Sequence, residues 1–84
     1  MSEPSALVIL FDGVEEMEAV APIDLLRRAG VRVTVVSASE DLGITGRNDI
    51  RLRAEIFLSE CLESDFDLVV LPGGPGHAAL LDRL

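Results

Sequence analysis

The chain has 84 residues and a net charge of −8, and all seven of its cationic residues are arginine. So acidic a surface cannot displace the counterions of a phosphate backbone, which argues against DNA or RNA as a partner. A chain this short forms one small domain at most and buries only about 60–65% of its unfolded surface, yet 49% of its residues are hydrophobic, so further polypeptide is expected to cover part of that apolar material.

The opening Met1-Ser2-Glu3-Pro4 lacks the basic n-region of a signal peptide. The apolar runs Ala6–Phe11 and Leu68–Pro72 are far shorter than the roughly 20 residues a bilayer requires. A single cysteine, Cys61, excludes an internal disulfide. These features predict a soluble, cytoplasmic protein without membrane contact.

Ala6–Phe11 is a continuous apolar run ending at Asp12-Gly13, the pattern of a strand buried on both faces of a parallel sheet. Val14 to Ala29 reads as a helix closed by Gly30 at C′. At 100° per residue, Val14, Met17, Glu18, Ala21, Leu25 and Arg28 share one face, which is expected to pack on the sheet. Val31–Val36, β-branched at nearly every position, predicts a second strand, so the opening is a right-handed β-α-β unit.

Ser37–Gly43 is polar and loop-like. Ile44-Thr45 and Ile50–Ala54 flank Gly46-Arg47-Asn48-Asp49, the chemistry of a hairpin turn. Phe57–Glu63 is expected to form a short helix. Leu68–Leu71 reads as a third buried strand, closed by Pro72-Gly73-Gly74-Pro75-Gly76, and His77–Leu84 begins another helix. The order matches the first half of a doubly wound α/β fold, so residues 1–84 are expected to be the N-terminal part of a single domain.

Sites in such sheets form at the carboxyl ends of the strands, and Asp12–Glu18 and Pro72–His77 both lie there. Glu18 on the inward face would be a desolvated carboxylate, and Pro22 cannot bond its carbonyl, which perturbs that turn. The alternative for an acid at this place is helix capping, a role that suits Glu15 and Glu16. The consecutive glycines allow close backbone approach, and their N–H groups suit an oxyanion or phosphate, although a plain strand-to-helix turn has the same composition. The string lacks the spacing of a dinucleotide fingerprint, and no P-loop lysine follows. His77 is either a base or polar surface. Cys61, beside Glu60 and Glu63, has acidic neighbours that raise a thiol pKa, which points to a structural role. The arginines between Arg27 and Arg53 are either solvated faces or a small anion-binding rim.

Taken together, Ala6–Leu10, Gly13–Glu18, Pro22–Gly30, Val33–Val35 and Asp67–Gly74 resemble the ThiJ/PfpI superfamily, in particular its Parkinson-associated deglycase branch with bacterial relatives. The resemblance implies a flavodoxin-like doubly wound fold with a hairpin excursion, incomplete at the C-terminus. It implies that Glu18 hydrogen-bonds a nucleophilic cysteine and that Gly74, with Gly73, supplies an oxyanion hole. It also implies a homodimer with Met17 as a contact, a small carbonyl substrate, and no cofactor or metal. Arg28, Arg47 and His77 are candidates for the pocket rim. The family's nucleophile follows the segment at which residues 1–84 end.

Two departures bear on substrate. Gly46-Arg47-Asn48 stands where the branch often has Cys-Ser-Arg, so the arginine is either shifted by one or lost, and Pro75-Gly76-His77 is one residue shorter than in many relatives. The functional expectations are therefore a cysteine-dependent deglycase or glyoxalase, a redox-sensing or chaperone protein of the same family, or a class I glutamine amidotransferase-like domain.

Overall fold

The computed structural model describes residues 3–76. Strand β1 (Ser5–Leu10) leads to helix α1 (Glu16–Arg28) and strand β2 (Arg32–Ser37), followed by β3 (Gly43–Thr45), β4 (Arg51–Arg53), β5 (Ile56–Phe57), a 3-10 helix (Leu58–Cys61) and β6 (Leu68–Val70). The main sheet has the order β5-β2-β1-β6 and is parallel throughout. β3 and β4 form a separate antiparallel ribbon, with Ile44 opposite Leu52.

Alternation along β1 produces two cores. Ala6, Val8 and Leu10 face α1 and join Val33, Val35, Ile44 and Ala54, while Leu7 and Ile9 face the other way, toward Val36, Leu58 and Cys61. A strand with both faces buried reads as a continuous apolar run, as Ala6–Leu10 does. β6 departs from that expectation. Among the described residues it pairs with β1 alone and leaves Leu68 and Val69 about half exposed, at 47% and 49%.

Helix α1 is rotated relative to the expected face. Glu16 and Ala19 are its buried residues, and Ile23 and Leu26 pack on the core below them. Met17 is 84% and Leu25 64% exposed, and Glu18, Ala21 and Arg28 also face outward. The helix has apolar residues on two faces, and Ala19, Ile23 and Leu26, at helical spacing, take the sheet. The helix begins at Glu16 rather than Val14; Val14 is fully buried in the preceding loop. Its end is as expected: Ala29 is the cap and Gly30 follows at φ 84°, the left-handed conformation of a C′ glycine.

Asp12 fastens the carboxyl end of β1 to its neighbours. Its backbone N–H donates to Ser39 Oγ at 3.0 Å, and its Oδ1 accepts the Thr45 N–H at 3.0 Å. The ribbon is thereby brought over the α1 side of the sheet, next to the loop that starts the helix.

Candidate functional site

Three segments meet at the carboxyl end of β1: the Gly13–Glu15 loop into α1, the Gly46–Ile50 turn, and the Pro72–Gly76 loop after β6. Gly73 is held through both of its backbone polar groups. Its N–H donates to Glu18 Oε1 at 3.0 Å, and its carbonyl accepts the Glu15 N–H at 2.9 Å. A trans peptide places C=O and N–H on opposite sides. Directing the Gly73 carbonyl at α1 therefore aims the N–H of Gly74 away from α1, and no acceptor among the described residues takes it.

Gly74 has φ 134°, and a Cβ on it would overlap the Gly13 carbonyl oxygen. Only glycine fits there without moving backbone. A fixed N–H directed away from its own scaffold can stabilise a developing negative charge without reorganising. The Gly73 N–H is already committed to Glu18, so the two glycines are not equivalent donors.

Glu18 reaches Gly73 from the outward side of the helix, as an exposed carboxylate rather than a desolvated one. Glu15 and Glu16 are not peripheral. The Glu15 side chain caps no N–H of α1, and instead its Oε1 pairs with Arg47 Nη1 at 2.8 Å. Glu16 is 3% exposed and holds the hairpin turn: its Oε2 accepts the N–H groups of Asn48 at 2.8 Å and Ile50 at 3.1 Å, and its Oε1 accepts Asn48 Nδ2 at 2.8 Å. Burial pushes the Glu16 carboxyl up. The Asn48 amide and the backbone N–H groups of Glu16, Ile50 and Asn48 together outweigh it and leave the group below its ordinary pKa.

Arg47 belongs to the cluster. Its N–H donates to the Val14 carbonyl at 2.9 Å, and Val14 adjoins the Glu15 that binds Gly73. Arg28 does not. It lies in the last turn of α1, paired with Asp24 at 3.0 Å, a helix length from Gly73 within the chain. Met17 stands on the exposed face of α1 with Val20 and Leu25. His77 lies outside the described residues.

Cys61 lies in the second core. Burial pushes its thiol up and the nearby Glu60 adds to that, the state of an inert structural cysteine. A groove of about 430 Å³ also opens on that side, between Leu7, Leu58, Cys61, Phe66 and Val69, and shares no residue with the Gly73 cluster.

Residues 4–83 match the model of the DJ-1/PfpI family. The chain belongs to that family. Protein DJ-1 homolog B of Arabidopsis thaliana is 44% identical over 75 residues, which cover 89% of this chain and 17% of the plant protein. The glutathione-independent glyoxalase DJR-1.2 of Caenorhabditis elegans is 28% identical over 82 residues, covering 96% of this chain and 44% of that protein. The crystal structure of Drosophila melanogaster DJ-1beta superposes with a TM-score of 0.89 at 37% identity, covering 99% of this chain and 45% of the fly protein. The chain thus spans less than half the length of these DJ-1/PfpI relatives and has their flavodoxin-like fold. No helix among its described residues is long and apolar enough to cross a membrane.

The structure brings the candidates Glu18, Gly73, Gly74 and Arg47 together and adds Glu15 and Glu16, for which the sequence suggests helix capping instead. The partners of those two acids lie 32 or more residues away in sequence, in the Arg47–Ile50 turn, and no local pattern announces such a contact.

Proposed function

We infer that residues 1–84 are the N-terminal part of a cysteine-dependent DJ-1/PfpI enzyme of the deglycase or glyoxalase kind, acting on small carbonyl compounds or their adducts, whose nucleophile comes from sequence outside these residues. The observation that carries this reading is the double hold on Gly73, which leaves the Gly74 N–H directed away from the scaffold at the carboxyl end of β6. In this reading Gly74 stabilises the oxyanion of a carbonyl under attack. Glu18, whose second oxygen makes no protein hydrogen bond among the described residues, poises the incoming thiol. Cys61 does not serve as that nucleophile, because it is buried in the second core. The glyoxalase name of the C. elegans relative supports the same substrate class.

The exposed apolar face of α1, with Met17 at its centre, supports self-association as a homodimer. A sensor or chaperone role of the same scaffold would use this face and the same thiol.

The test is methylglyoxal consumption by the complete protein. Turnover abolished by thiol alkylation and retained in Cys61→Ala is expected, with none from residues 1–84 alone. Glutaminase activity in place of carbonyl turnover would replace this reading with the amidotransferase one.

A further inference from the structure

We propose that Glu16 is a positioning residue that sets the place of Arg47 at the carbonyl site, acting through the Gly46–Ile50 turn. An acid in the first turn of a helix ordinarily faces solvent, favoured there by the helix dipole. Glu16 is instead 3% exposed, with both carboxylate oxygens spent on the turn. Its hydrogen bonds hold the chain that follows Arg47. Asn48 is the next residue, and Ile50 closes the loop by accepting the Gly46 N–H at 2.8 Å. Gly46 itself lies against the carboxylate, where a Cβ would overlap it.

The ion pair does not fix Arg47 unaided. The Arg47 side chain is 61% exposed and that of Glu15 26%, and an exposed pair contributes only about 0–1 kcal/mol. The backbone of the turn decides where the guanidinium can reach, and Glu16 decides the backbone. One short stretch of chain thereby places three groups: Glu15 holds the Gly73 carbonyl, Glu16 holds the turn, and Glu18 holds the Gly73 N–H.

The proposal rests on the carbonyl-site reading for its kinetic consequence but not for its structural one, and two measurements on the complete protein separate them. The first is amide hydrogen exchange at Gly46 and Arg47. Glu16→Ala is expected to accelerate both by at least about tenfold. Glu16→Gln is expected to retain most protection, because its amide oxygen can accept both backbone N–H groups while Asn48 turns its own amide over. Unchanged exchange at Arg47 in Glu16→Ala overturns the proposal.

The second is a kinetic cycle with methylglyoxal. Glu16→Ala and Arg47→Ala are each expected to raise KM about tenfold with little change in kcat, and the double variant to be no worse than Arg47→Ala. Additive losses would mean that Glu16 acts by general stability, and the proposal falls. If the unaltered protein shows no methylglyoxal turnover, the substrate reading fails, and exchange at Arg47 alone decides whether Glu16 sets its position.

Discussion

Glu18 and Gly73, 55 residues apart, are joined by a 3.0 Å hydrogen bond from the glycine N–H to the carboxylate. The bond joins the first turn of α1 to the loop after β6, so it ties the acid to the loop that presents the Gly74 N–H. Glu18 is exposed, yet it is the acceptor that fixes the site's backbone.

Glu18→Leu removes that acceptor without burying anything new. The expected stability loss is small, about 0.5–1.5 kcal/mol, the usual contribution of one hydrogen bond. The expected functional change is larger: in the complete protein the alkylation rate of the reactive thiol should shift severalfold with little change in Tm. A thiol that alkylates at the unaltered rate in Glu18→Leu would separate Glu18 from the nucleophile.

Gly74→Ala and Gly76→Ala test the tight approach of the Pro72–Gly76 loop. Both glycines have positive φ, 134° and 92°, but among the described residues only at Gly74 would a Cβ overlap backbone, at the Gly13 carbonyl. Gly74→Ala should cost about 2–4 kcal/mol, from strain and displacement together. Gly76→Ala should cost about 1 kcal/mol, from conformation alone. Thermal melts of the two variants should differ accordingly, and equal costs would mean that the loop relaxes away from Gly13.

Glu16 gives the acid limb of stability a specific source. Its folded pKa lies below the ordinary carboxyl value, so its contribution is fully present above the unfolded pKa. It is lost as pH falls through the folded pKa. A Tm profile recorded downward from about pH 6 should fall less steeply in Glu16→Gln than in the unaltered protein, because the amide does not titrate. Identical acid limbs would show that other carboxylates dominate.

The outward face of α1 is the surface proposed to hold two copies together. Met17→Asp and Leu25→Lys replace exposed side chains, 84% and 64% accessible, so each should change chain stability by no more than about 0.5 kcal/mol. Sedimentation of the complete protein should nevertheless show a shift from dimer toward monomer. An unchanged dimer would place the interface elsewhere.

Much of this fold is legible in order along the chain because the signals are local. The two-sided apolar run of Ala6–Leu10, the β-branched Arg32–Ser37, the left-handed Gly30 and the polar Gly46–Asp49 turn each carry their own physical cause. The helix face was not legible in the same way. Met17, Val20 and Leu25 on one side and Ala19, Ile23 and Leu26 on the other are both apolar, so periodicity alone does not decide which meets the sheet. The short β5 strand, paired at Val36 and Ser37, is not legible in the sequence for a related reason: two residues are too few to show a period.

What the sequence by itself determined was the opening β-α-β unit, the hairpin and the Leu68–Val70 strand, the family, and the glycines that the Pro72–Gly76 loop requires, since these follow from side-chain pattern and backbone freedom within a few residues. What only the tertiary structure decided was which of the three neighbouring acids does what. Glu15, Glu16 and Glu18 are chemically alike and nearly adjacent, and their roles are set by which distant donor each meets: Arg47, the Asn48–Ile50 backbone, and Gly73. Burial of a carboxylate such as Glu16 is tolerable only when N–H groups surround it, and folding brings those groups to it from a turn 32 to 34 residues further along the chain.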